Sequence, residues 1–114
     1  MEKREKSEIK AQSDCLTKIW NERPELRGRI FAVNNNSENE IKGAMNRAMG
    51  VLPGVSDTVF IGSHGRSIYI EWKTETGTQS KAQKEWQAMI ESLGHIYYIV
   101  RSEGEFISVI SQYE

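Results

Sequence analysis

Two β-rich runs, Thr58 to Gly62 and Arg66 to Lys73, are joined by only three residues, Ser63-His64-Gly65. A connection this short forces the runs to pair antiparallel. A three-residue loop ending in glycine is the usual type I turn plus bulge, with Gly65 supplying the positive φ. Register then follows by counting. Gly62 falls opposite Arg66, and stepping back puts Asp57 opposite Glu71. A loop of two or four residues would place Asp57 opposite Trp72, on the other face. The glycine position favours the first arrangement.

Side chains alternate across a strand, so Tyr69, Glu71 and Lys73 share one face while Ile68, Ile70 and Trp72 point into the expected core. Carboxylates directly opposite one another destabilise a sheet. A shared dication removes that repulsion. Magnesium takes hard oxygen ligands, usually one or two carboxylates with waters and a substrate phosphate. Asp57 and Glu71, with the backbone carbonyl of Trp72 as a third ligand, fit that pattern. Lys73 would then be placed to orient or deprotonate an attacking water and to offset charge on a phosphorane. The plainer reading is an exposed hairpin with a Glu–Lys pair and an aspartate capping a turn. The residues alone leave both open.

At 114 residues the chain is expected to be a single domain, 1–114, with a modest core. Apolar residues make up 38% and charged residues 27%, an ordinary globular composition. No apolar stretch approaches the roughly 18 to 20 residues that span a bilayer. Nor does an apolar run follow the charged start Met1 to Lys6, so neither membrane insertion nor a signal peptide is expected. Cys15 is the only cysteine, which excludes an internal disulfide and a cysteine-based zinc site and suits a cytoplasmic location. Net charge of −1 counts mildly against a nucleic-acid coat, but a bound dication would reverse the local sign.

Residues 7 to 22 read as a helix capped by Ser7 and stopped by Pro24, with Ile9, Leu16, Ile19 and Trp20 near one stripe. Ile30 to Val33 reads as a buried strand. Ser37 to Glu40 has capping-box spacing for a short helix. After a polar loop, Ser80 opens a helix ending at Gly94, with Ala82, Trp86, Met89, Ile90 and Leu93 as its expected buried stripe. Gln83 takes the third position of that helix, where its amide suits a cap as well as site support. His95 to Val100 is a strand that requires a crossover, and Glu105 to Tyr113 is a weak strand or short helix. Trp20 and Trp86 are expected in the core, and one of Tyr97 and Tyr98 buried. His64 and His95 carry no chemistry. The order predicts a small α/β domain.

Gly54-Val55-Ser56-Asp57, Glu71-Trp72-Lys73 and Gln83-Lys84-Glu85-Trp86 together resemble the signature of the PD-(D/E)XK nuclease superfamily. More narrowly, they resemble the virus-type replication-repair nuclease (VRR-NUC) family. Ser56 departs from a frequent proline there, which costs stiffness and not chemistry. The resemblance implies a small restriction-endonuclease-like core: a central mixed sheet with a β-hairpin, flanked by helices. It also implies a structure-specific DNA endonuclease using Mg²⁺ or Mn²⁺. In that likeness Asp57 and Glu71 bind metal, Lys73 serves the water and Gln83 supports the site. A first-helix acid also belongs to the pattern. Glu8, one turn from Gln12, matches best, and Glu5 is the alternative.

Branched or Holliday-junction DNA is the substrate that the likeness implies. It also implies a homodimer, since two strands of a symmetric junction need two sites, and a DNA-repair or phage setting in a host cytoplasm. Lys42, Arg47, Lys81, Lys84 and Arg101 are expected to hold the duplex through its backbone. Phe106 to Ile110 is expected as an exposed tail lending one edge of a dimer interface. The rival functions are a nuclease that nicks duplex or trims flaps, and a non-catalytic DNA-binding module of the same fold.

Overall fold

The structure is a computed structural model that describes residues 6–33 and 40–114. Ser37, Glu5 and the rest of the first five residues lie outside this range. The chain runs α1 (Lys6–Glu22), a 3₁₀ turn (Pro24–Leu26), β1 (Ile30–Ala32), α2 (Glu40–Ala48), β2 (Thr58–Ile61), β3 (Ser67–Trp72), α3 (Lys81–Ser92), β4 (Ile96–Val100) and α4 (Glu103–Ser111). The strands form one mixed sheet in the order β1-β2-β3-β4. β1, β2 and β3 pair antiparallel, and β4 joins β3 in parallel through the α3 crossover.

The β2–β3 register is the one the turn glycine favours: Thr58 pairs Ile70 and Phe60 pairs Ile68. The turn itself differs from expectation. His64 (φ 60°) and Gly65 (φ 71°) are both left-handed, so it is not a type I turn. Histidine is among the few non-glycine residues enriched in that region. The C-terminal chain steadies the tip, with the Ser63 N–H donating to the Tyr113 carbonyl at 2.9 Å.

One sheet face carries the core. Ile30, Phe60, Ile68, Ile70, Trp72 and Val100 pack there against Cys15 and Ile19 of α1 and Phe106, Val109 and Ile110 of α4. Trp72 and Phe106 stack with centroids 5.2 Å apart. Burial pushes the Cys15 thiol up to about 12, so it behaves as a neutral core residue.

Expectations fail at several points here. Of the run read as a buried strand only Ile30 is buried, and Phe31 is 40% exposed. The tail is a helix, capped by Ser102 accepting from the Glu105 N–H, and it is not exposed: Phe106, Val109 and Ile110 are buried. Their i, i+3, i+4 spacing selects one helical face, which strand alternation would have split. Met89 of α3 and Leu93, which caps its C-terminus, are exposed, and the buried positions are Gln83 and Ile90. This helix covers the sheet face that bears polar groups and meets it edge-on through Trp86 and Tyr69, 5.4 Å apart. Trp20 lies at the rim, 39% exposed, its indole N–H donating to the Ile30 carbonyl at 3.1 Å. On α1 the buried stripe is Glu8, Gln12, Cys15 and Ile19, while Ile9 is exposed.

Phe106→Ala should lower stability by about 3–5 kcal/mol in denaturant unfolding, as deletion of a buried aromatic ring does. Ser108→Ala, which a strand would place on the same face, should change it by less than about 0.5 kcal/mol.

Candidate active site

The second sheet face begins with the β2–β3 register. Continued one step beyond the Thr58–Ile70 pair, it sets Asp57 across from Glu71. The Asp57 carboxylate reaches β3, where its Oδ2 accepts a hydrogen bond of 2.7 Å from the Trp72 backbone N–H. Gly54 brings the chain to this point. It sits at φ 90°, and a Cβ there would lie 2.7 Å from the Ala82 backbone, so the approach to Asp57 packs directly against the first turn of α3. Both the left-handed φ and that close contact demand glycine.

Glu71 is fully buried, and Asp57, Glu8 and Gln12 are nearly so. Lys73 Nζ stands 3.8 Å from Glu71 Oε2, an ion-pair distance too long for a hydrogen bond. The other oxygen, Oε1, accepts a hydrogen bond from the Tyr97 hydroxyl. Oε2 is buried and, among the described residues, has no hydrogen-bond partner. Burial therefore pushes the Glu71 carboxyl above its ordinary range. The Tyr97 bond and Lys73 offset part of that rise, while the like charges of Asp57 and Glu8 add to it. Burial, then the bond to Glu71, drives the Tyr97 phenol far above its usual value, so it stays a proton donor. An open apolar cavity of about 320 Å³ lies alongside, lined by Val33, Val51, Val55, Ser56, Tyr69 and Trp86.

The structure thus brings Asp57, Glu71 and Lys73 together, with Glu8 within electrostatic reach. Gln83 is committed to the helix: its Oε1 accepts from the Ser80 N–H at 2.9 Å, and its own N–H donates to Ser80 Oγ at 3.2 Å. The basic residues expected to hold the duplex are exposed, unlike this buried cluster. Lys42 and Arg47 are exposed on α2, and Lys81 and Lys84 on α3, where Lys81 pairs with Glu85 at 3.6 Å. Arg101 is not a free phosphate-binding arm. Its Nη1 donates to the carbonyls of Thr74 and Gly77 at 2.6 and 2.7 Å, tying down the loop that follows Lys73.

Sequence reasoning missed Tyr97 as a partner of Glu71. The alternation of Tyr97 and Tyr98 marked one for burial, but only the parallel register, Tyr69 beside Tyr97 and Glu71 beside Ile99, shows which reaches Glu71. Among the described residues no three His, Cys, Asp or Glu side chains are grouped to hold a metal ion by themselves. A cation here would rest on two carboxylates, with carbonyl, water or phosphate oxygens completing its shell, as is common for magnesium. The buried, unbonded Oε2 of Glu71 fits that use.

No protein-family model and no curated protein matches the chain. A solved structure described as "VRR_NUC domain protein" is similar to it, with a TM-score of 0.75 and 22% sequence identity over 97% of this chain and 90% of that one. The chain therefore has the fold of a VRR_NUC domain, as the sequence resemblance implied. No helix among the described residues is long and apolar enough to cross a membrane.

Because its carboxyl is raised, Glu71 favours folding below its ordinary value near 4.5. That contribution is lost as pH rises through the raised value. In the absence of metal, Glu71→Gln should melt at a higher temperature than the parent at pH 7, and the difference should shrink toward pH 4. Gly54→Ala should cost about 1–3 kcal/mol or more from its φ alone.

Proposed function

We propose that this chain is a Mg²⁺- or Mn²⁺-dependent endodeoxyribonuclease that hydrolyses phosphodiester bonds, with branched or Holliday-junction DNA as substrate. The observation that carries this reading is the buried Glu71 carboxylate beside Lys73, with Asp57 held against the same strand. A buried ionisable group with an unbonded oxygen and charged neighbours is a recurrent mark of a functional site. The fold shared with a VRR_NUC domain protein supports the same class.

In this reading Asp57 and Glu71 hold the cation, with the Trp72 carbonyl as a further ligand and Glu8 nearby. A bound divalent cation supplies Lewis-acid stabilisation of charge at the scissile phosphate. Lys73 orients the attacking water and offsets negative charge as the phosphorane forms. Gln83 acts indirectly, by fixing the start of α3 against the Gly54 approach. The exposed Lys81 and Lys84 on the first turn of that helix, with Lys42 and Arg47 on α2, engage the DNA backbone. Such contacts read shape and not sequence.

A homodimer would supply the second active site that a symmetric junction requires. With Phe106, Val109 and Ile110 buried, the exposed apolar residues Ile41 and Met45, one turn apart on α2, and Met49 just beyond its end support an interface better than the tail does.

Purified protein should cut a four-way junction in the presence of Mg²⁺ or Mn²⁺ and not in EDTA. Glu71→Gln and Lys73→Ala should each lower the rate by about 10²–10³-fold while DNA binding persists. If product mapping shows faster cutting of flaps or nicking of plain duplex, the junction assignment is wrong and the hydrolytic one stands. Binding without cleavage by the parent would favour a non-catalytic module.

A further inference from the structure

The two oxygens of Glu71 have different surroundings, and one phenol sets the difference. Oε1 accepts from the Tyr97 hydroxyl, whereas Oε2 has no hydrogen-bond partner among the described residues and lies 3.8 Å from Lys73 Nζ. The last torsion of a glutamate side chain is soft and broad, so fastening one oxygen fixes where the other points.

Tyr97 is itself held from several sides. It is 7% exposed, on β4, where the parallel register sets it beside Tyr69 on the face that carries Glu71. Its hydroxyl accepts from Gln79 Nε2 at 3.3 Å, and the same amide donates to Gln87 Oε1 at 2.8 Å. Its ring meets Trp86 edge-on, with centroids 6.0 Å apart. The phenol is thus anchored by the loop before α3, by α3 itself and by the strand, leaving its O–H one direction to point.

We infer that Tyr97 is a positioning residue: it fastens Glu71 Oε1 so that Oε2 is presented toward Lys73, where the cation of the proposed reaction would be held. The inference rests on the metal-dependent reading above. Partners that orient a metal ligand typically contribute 10–100-fold in affinity or activity. Tyr97→Phe keeps the ring, its burial and its contact with Trp86, and removes the hydroxyl that donates to Glu71 and accepts from Gln79. Tyr98→Phe is the control, because the Tyr98 hydroxyl pairs with Tyr113 on the opposite sheet face.

The test is calorimetric titration of Mn²⁺ into the parent and both variants, with the carbon-13 carboxyl resonance of Glu71 followed in the metal-free proteins. Tyr97→Phe should weaken Mn²⁺ binding by about tenfold or more and shift the Glu71 resonance, and Tyr98→Phe should do neither. Equal Mn²⁺ affinity in Tyr97→Phe and the parent would overturn the positioning role and leave the metal site standing. A parent that takes up no Mn²⁺ would overturn the metal reading, and the positioning role with it.

Discussion

A carboxyl group removed from water is costly to ionise, and Glu71, fully buried with the Lys73 ammonium 3.8 Å away, is such a group. Its burial raises the proton affinity of the group, and neither the Lys73 ammonium at 3.8 Å nor the Tyr97 hydroxyl offsets that fully. Asp57 and Glu8 push in the same direction as burial. The site is therefore poised to gain from any positive charge that enters it, because such a charge satisfies an unbonded oxygen and relieves repulsion among three acids. Specific contacts of the fold hold this group and its neighbour Asp57 in place.

The two sheet faces divide that labour. Trp72, Ile70 and Ile68 point into the core formed with α1 and α4, so β3 is pinned by the apolar face of the same residues that lift Glu71 and Lys73 to the other. Glu71 cannot drift along the strand without breaking the stack of Trp72 on Phe106. Asp57 is bonded across to the Trp72 N–H, which ties the second acid to the same anchor. Arg101 fixes the loop leaving Lys73, and Gly54 allows the loop entering Asp57 to lie against α3. Rigid support of this kind holds charged groups in a dry site without reorganisation.

Local rules made part of this legible. Three residues between two strands, closed by Gly65, suffice to place Asp57 across from Glu71 whatever the turn type, and strand alternation separates Glu71 from Trp72. Ser80 and Gln83 spell a capping box, and the box is formed. The parts that stayed hidden depend on packing between distant segments. Tyr97 reaches Glu71 only through a parallel register set by how α3 crosses over. Phe106, Val109 and Ile110 fit either a helix or a weak strand until the core shows which face they fill. Met89 and Leu93 continue an apolar stripe in the sequence, yet between them only Ile90 faces the protein and both remain exposed. Arg101 reads as one more surface cation, because nothing local reveals the carbonyls that claim it.

The central claim is that Glu71 Oε2 and the Asp57 carboxylate form one cation site. Anomalous diffraction from crystals grown with Mn²⁺ tests it most directly. The account predicts a single strong anomalous peak within bonding distance, about 2.0–2.3 Å, of both carboxylates, with Tyr97 still on Oε1. Anomalous signal absent there, with Glu71 Oε2 closed onto Lys73 alone, would contradict it.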